Sequence, residues 1–310
     1  MGKSAGATTA FVTDPLGLVG RSIVRLLVAR GHHVLALTRT FEEAERARRL
    51  GASAVIGDLA TPGRWQDEAA ADWIFHLAPL SSCHARARRL GADSFTRTSL
   101  DETLLDAIGA GATRRFLYVA DTACYGAHGA LPITEDESMR PARARRWIVP
   151  ALDRLDGYAL AGLPIAIAFL GCAYGNGTWL REVVVDPILA GRRVIQFGRV
   201  GPLVSPIHVH DCARALVHLA GRSVVGGRYF VVNSDTVRIN DFARTVARLV
   251  HRPLHLWRLP LAVARALVSP SLAGHLHGDS AFSNIRLRAT GFDFKFPTVE
   301  HGLQQVLDTL

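Results

Sequence analysis

Apolar and polar positions follow two periods along the first half of the chain. Short runs rich in β-branched and aromatic residues, TTAFVT (8–13), HVLALT (33–38), SAVIGDL (53–59), DWIFHLA (72–78) and RRFLYVAD (114–121), predict buried strands. Between them apolar residues recur every three or four positions. LVGRSIVRLLVARG (18–31) puts Ile23, Leu26 and Leu27 on one helical face, with Gly31 as its stop. FEEAERARRLG (41–51) and a stretch from about 95 to 110 repeat that spacing. Further strands are expected near 163–170, 205–209 and 227–233. Strands alternating with helices of this length are βαβ units, whose right-handed crossovers give a parallel sheet covered on both faces. Ligands bind such sheets beyond the carboxyl ends of the strands.

After Gly177 the alternation weakens. The expected architecture is α/β: a Rossmann-type doubly wound parallel sheet over 1–177 and 206–235, with a smaller interleaved C-terminal substrate-binding cap over 178–205 and 236–310. A chain of 310 residues, 49% of them hydrophobic, can bury such a core. One uncharged run, 158–175, reaches the length of a membrane span, but Gly162 and Pro164 break it into a helix end, a turn and a buried strand. No membrane partner is expected, and residues 1–9 lack the apolar core of a signal peptide.

Charge adds one constraint. The formal net charge is +9, and since Lys3 and Lys295 are the only lysines among 36 basic residues, 34 are arginine. They are dispersed, often at helical spacing, so no nucleic-acid partner is expected. Solvated helix faces account for most of them, and an anionic substrate or cofactor is the alternative. The cysteines, Cys83, Cys124, Cys172 and Cys212, lack metal-ligand spacing and read as free thiols of a cytoplasmic protein.

The candidate chemistry starts at FVTDPLGLVG (11–20). A strand running into this loop puts Thr13, Gly17, Leu18, Val19 and Gly20 at a helix amino end, where a pyrophosphate can bind. Asp14 stands where another glycine is expected. Its carboxylate must turn away or cap the helix. The second strand ends in LTRT (37–40), where NAD-preferring sites carry an acid. Thr38, Arg39 and Thr40 suit a 2′-phosphate instead, hence NADP(H) over NAD(H).

These pieces resemble the extended short-chain dehydrogenase/reductase family of NAD(P)-dependent epimerases and dehydratases. VTDPLGLVG matches its glycine-rich loop and GDL its adenine-contacting Asp. WIFHLAP matches its fourth strand and RRFLYVADTACYG its fifth. GLPIAIAFLGCAYGNG (162–177), SPIHVHDCARAL (205–216) and SNIRLRATGFDFKFPTVEHGL (283–303) follow in order. The resemblance covers nearly the whole chain. It implies that Asp58, Leu59, Leu77, Ala78 and Gly171 join Thr13, Gly17, Leu18, Val19, Gly20 and Arg39 around the cofactor. Members of the family often pair through the helices before and after the fifth strand, so a homodimer is the candidate assembly and the oligomeric state stays open.

The family's usual reaction uses a Tyr four residues before a Lys. Here none of Tyr118, Tyr125, Tyr158, Tyr174 and Tyr229 has Lys at that spacing. Counting back from GLP puts the missing pair near Arg143 and Trp147. The family's polarising Ser falls on Asp121, and the Arg of its following strand on Phe169. The candidate catalytic residues are therefore Asp121, a general acid or base at a strand end, with a backbone-capping Asp as the alternative; Thr122, replacing the lost Ser; Tyr125, a donor to substrate or a packing residue; and Arg143 and Arg145, which hold a substrate carboxylate or phosphate or form a solvated helix turn. His208 and His210 sit at i, i+2 on an expected strand, but no third ligand is evident and no metal is expected. Asp211 reads as the cap of the following helix. No GxSxG elbow supports a Ser-His-Asp triad. Three functions stay open: an NADP(H)-dependent enzyme acting on a small oxygenated metabolite of secondary metabolism; a non-redox lyase, isomerase or cyclase; and a non-catalytic dinucleotide-binding sensor or partner protein.

Overall fold

The computed structural model describes residues 8–77, 94–108, 113–142 and 148–310. Its elements begin with β1 (Thr9–Val12), α1 (Leu18–Ala29), β2 (His33–Thr38), α2 (Phe41–Arg49), β3 (Ser53–Ile56), β4 (Trp73–His76), α3 (Ser94–Ala107) and β5 (Arg115–Asp121). Helix α4 (Ile148–Leu160), strand β6 (Ile165–Leu170), helix α5 (Val209–Arg222) and strand β7 (Arg228–Val231) follow. The seven strands form one parallel sheet in the order β7-β6-β5-β4-β1-β2-β3. The strand expected near 205–209 is present but lies outside that sheet: Pro206–His208 pairs in parallel with Cys172–Tyr174 as a separate two-stranded sheet. The order reverses between β1 and β4. That is the switch point where doubly wound sheets open a crevice at the strand ends.

The sequence explains these elements locally. Ala10, Phe11 and Val12 are fully buried, as a central parallel strand covered on both faces requires. Helix α1 buries Ile23, Val24 and Leu27, while Leu26 is half-buried at the edge of that face. Gly31, at φ +78°, ends it by donating its N–H to the Val28 carbonyl. The apolar run 158–175 divides as its breakers dictate: α4 ends at Leu160, Gly162 turns at φ +99°, and β6 is buried throughout. Among the described residues no helix is long and apolar enough to cross a membrane.

The chain divides into two compact units. The first comprises Met1–Ala120, Trp147–Ala168 and Ala213–Arg228. The second comprises Asp121–Arg146, Phe169–Cys212 and Tyr229–Leu310. Short paired strands and helices in the second unit pack around Tyr174, Leu180, Val184, Phe197, Phe242, Val246 and Leu303. A second cluster sets Tyr125 edge-on to Phe169 and Phe230 at ring-centroid separations of 5.1 and 4.8 Å. Phe169, the residue at the family's strand-arginine position, is thus a packing residue here.

Two sequence expectations are corrected. His208 and His210 do not share a strand face. The strand ends at His208, which is buried, whereas His210 lies exposed in the first turn of α5. Asp211 sits inside α5, and its carboxylate accepts the backbone N–H groups of Lys295 (3.0 Å) and Phe296 (2.7 Å). It anchors the C-terminal loop, where the N–H of buried Phe296 needs an acceptor.

Candidate functional site

The glycine-rich loop lies between β1 and α1. Gly17, in extended conformation, is the residue before the first helical turn. A Cβ on Gly20 would lie 1.7 Å from the Asp14 carbonyl oxygen, so only glycine lets the loop lie flat on the helix. The Asp14 side chain folds over the loop: a Cβ on Gly17 would lie 2.1 Å from its Oδ2. The carboxylate therefore occupies the amino end of α1, the place a pyrophosphate oxygen takes in a Rossmann site. Leu18 and Val19 form the first turn behind it.

Beside the loop opens a cleft of about 300 Å³ lined by Thr13 to Gly17, Leu37 to Arg39, Glu43, Arg46 and Gly57 to Leu59. It brings together five of the residues the sequence assigns to the cofactor, Thr13, Gly17, Arg39, Asp58 and Leu59. Two hydroxyls of LTRT are engaged structurally: Thr38 donates to the Val55 carbonyl (3.3 Å), and Thr40 accepts the Glu43 N–H (3.2 Å) as the α2 cap. The Arg39 guanidinium bonds Glu43 at 2.9 Å. Asp58 accepts the Ala60 N–H (2.9 Å).

Under the cleft runs a buried polar chain. The Thr13 hydroxyl accepts the Leu77 N–H (3.0 Å) and lies 3.3 Å from His76 Nδ1. His76 Nε2 is 2.7 Å from Asp101 Oδ1, and the Tyr118 hydroxyl donates to Asp101 Oδ2 (3.2 Å). This ties Thr13, Leu77, the ends of β1 and β4 and the middle of β5 into one fixed floor. Sequence reasoning missed His76, Asp101, Glu43 and Arg46. Asp101 lies remote in sequence from His76, whereas Glu43 was legible as the acid of a Thr-x-x-Glu capping pattern.

In the second unit, Asp121 is half-buried at the capping position of the turn Thr122–Cys124 and makes no capping hydrogen bond to it. Thr122 Oγ1 is buried with no hydrogen-bond partner among the described residues. Thr122 lines a small pocket of about 10 Å³ with Gly126, Ser205, His275, His277 and Ser280. Tyr125 is fully buried and its hydroxyl donates to the Glu135 carbonyl (3.0 Å), a bond it would have to give up to meet a substrate. Gly171 leaves room for the Ser205 carbonyl, which a Cβ would approach to 2.4 Å. Ala78, Arg143 and Arg145 lie outside the described residues.

Burial dominates the electrostatics of this unit. It pushes the Cys172 thiol up to about 12 and His208 down to about 4, with Asp211 opposing the shift at the histidine. Glu135 is raised by burial, against the Phe230 N–H it accepts (2.7 Å) and the nearby Arg286. Among the described residues no group of three or more His, Cys, Asp or Glu is placed to hold a metal.

Comparison with known proteins places these features. The sequence profile of the NAD dependent epimerase/dehydratase family matches residues 11–233. A 4-hydroxy-2-methyl-3-oxo-4-farnesyl-3,4-dihydroquinoline-1-oxide ketoreductase of Stigmatella aurantiaca is 27% identical over 270 residues, 83% of this chain and 77% of its own. The epimerase family protein YfhF of Bacillus subtilis is 22% identical, over 96% of this chain and 97% of its own. The fold is that of a UDP-N-acetylglucosamine 4-epimerase from Methanobrevibacter ruminantium, at TM-score 0.79 and 17% identity over 97% of each chain. It is likewise that of a Thermus thermophilus UDP-glucose 4-epimerase in complex with NAD, at TM-score 0.78 and 20% identity over 97% of this chain and 98% of that one.

Proposed function

Because the chain belongs to the NAD dependent epimerase/dehydratase family, we propose that it is a reductase that binds NADP(H) and acts on a ketone of a small oxygenated metabolite. The observation that carries the reading is the cleft in which Arg39 and Arg46 stand beside the glycine-rich loop. The Stigmatella ketoreductase supports the choice of reduction.

The residues of the cleft suit the adenosine end of such a cofactor. Arg39 and Arg46 offer two cations to a 2′-phosphate, and Asp58 and Leu59 line the wall where an adenine would lie. The amino end of α1 offers its amides to the pyrophosphate. Asp14 opposes that binding, and its half-buried carboxylate has to turn aside from Gly17 for the pyrophosphate to reach those amides. When bound, the nicotinamide supplies the hydride. The chain's own part is to hold the substrate oxygen and move one proton. Asp121 is assigned the proton, and the buried Thr122 hydroxyl the hydrogen bond that polarises the oxygen. Arg143 and Arg145 are assigned to an anionic group of the substrate.

One titration tests the reading. NADPH and NADP⁺ bind in calorimetry, and Arg39→Ala weakens NADPH about tenfold more than NADH, the worth of one charge-assisted phosphate contact. Equal weakening of both removes the phosphate assignment. Failure of either dinucleotide to bind leaves a second reading, favoured by the lack of any Tyr four residues before a Lys: a non-redox elimination, isomerisation or cyclisation with Asp121 as base.

A further inference from the structure

Glu43 has no part in that cofactor reading, yet it is held inside the cleft. One carboxylate oxygen accepts the backbone N–H of Arg39 (2.8 Å), and the other bonds the Arg39 guanidinium (2.9 Å). Its own N–H donates to Thr40 Oγ1 (3.2 Å). The acid therefore completes a capping arrangement that reaches back one residue beyond the cap itself. Arg46 lines the same cleft. Burial pushes the Glu43 carboxyl up, but its bonds to Arg39 and the charges of Arg39 and Arg46 outweigh that and leave it lowered.

We propose that Glu43 is the specificity-determining residue of this cleft, and that the Arg39–Glu43 pair selects between a free ribose and a 2′-phosphorylated one. The proposal rests on the reading that the cleft holds the adenosine end of a dinucleotide. Each oxygen of an ionised carboxylate has two lone pairs, and each Glu43 oxygen uses one on Arg39. The intact pair can therefore accept ribose hydroxyls with nothing broken. A phosphate is only an acceptor and carries nearly two negative charges, so it gains nothing from Glu43 and must draw Arg39 away. The Arg39 and Glu43 side chains are 39% and 24% exposed. A half-exposed i, i+4 pair opens at small cost, so Glu43 lowers the affinity for the phosphate without forbidding it.

Adenosine 2′,5′-bisphosphate and adenosine 5′-monophosphate, titrated by calorimetry into the wild type, Glu43→Gln and Arg39→Ala, test this with no catalytic readout. Gln keeps a side-chain oxygen for the Arg39 N–H, and circular dichroism with a melting curve checks that α2 persists; Glu43→Ala is the second variant. Glu43→Gln binds the bisphosphate about tenfold more tightly, as removal of one adjacent like charge predicts, and the monophosphate no more tightly. If Arg39→Ala weakens the bisphosphate but both Glu43 variants bind it as the wild type does, the selector is overturned and the cofactor reading stands. If Arg39→Ala weakens both ligands equally, the phosphate assignment fails and the selector falls with it.

Discussion

Asp14→Asn is the sharpest perturbation of the loop. It keeps the shape of the side chain folded over Gly17 and removes its charge. In the apo protein the carboxylate at the amino end of α1 is favourable by about 0.3–1 kcal/mol, because that end carries roughly half a positive charge. An anion brought to the same amides meets the carboxylate at about 4 Å, where two unit charges repel by ~1 kcal/mol in water and ~4 kcal/mol at an effective dielectric of about 20. Asp14 is half-buried at the edge of an open cleft, so the repulsion lies between these figures and nearer the lower. The variant should bind NADP⁺ about fivefold more tightly while losing about 0.5 kcal/mol of folding stability. Calorimetry at low and high salt is the assay, and the advantage of the variant should shrink as salt screens the repulsion. Binding that is unchanged or weaker in Asp14→Asn would show that the carboxylate swings clear of the ligand, and would refute the electrostatic argument.

Three further outcomes are expected. Asp101→Ala strands buried His76 Nε2 and the Tyr118 hydroxyl and should cost about 3 kcal/mol in urea unfolding; a loss under about 1 kcal/mol would contradict a buried floor. His208 takes a proton near 6.5 when unfolded and only near 4 when folded, so between these values the unfolded chain binds the extra proton. Stability should therefore fall as pH drops from about 6.5 to 4, by up to roughly 3 kcal/mol, and His208→Gln should flatten that slope; an unchanged slope in the variant would count against it. Asp121→Asn should lower kcat by about a hundredfold or more with little change in KM, measured by single-turnover kinetics, and full retained activity would remove Asp121 from the chemistry.

The sequence by itself determined the sheet, because its information is local and periodic. Buried parallel strands such as Phe11–Val12 and Ile165–Leu170 announce themselves as apolar runs, and helix ends such as Gly31 carry their own stop signals. The glycine spacing and LTRT likewise marked one wall of the cleft, since residues within a few positions of a strand end must line its mouth. Only the tertiary structure decided what charged side chains meet. His76 and Asp101 are 25 residues apart, and Asp211 finds its backbone partners at Lys295 and Phe296, more than 80 residues on. It also turned His208 inward and His210 outward, where strand spacing put them on one face, because the strand gives way to a helix between them. The folding of the Asp14 carboxylate onto Gly17 is of the same kind. Which way a polar side chain turns depends on the donors and charges the fold brings to it, and no local pattern encodes those.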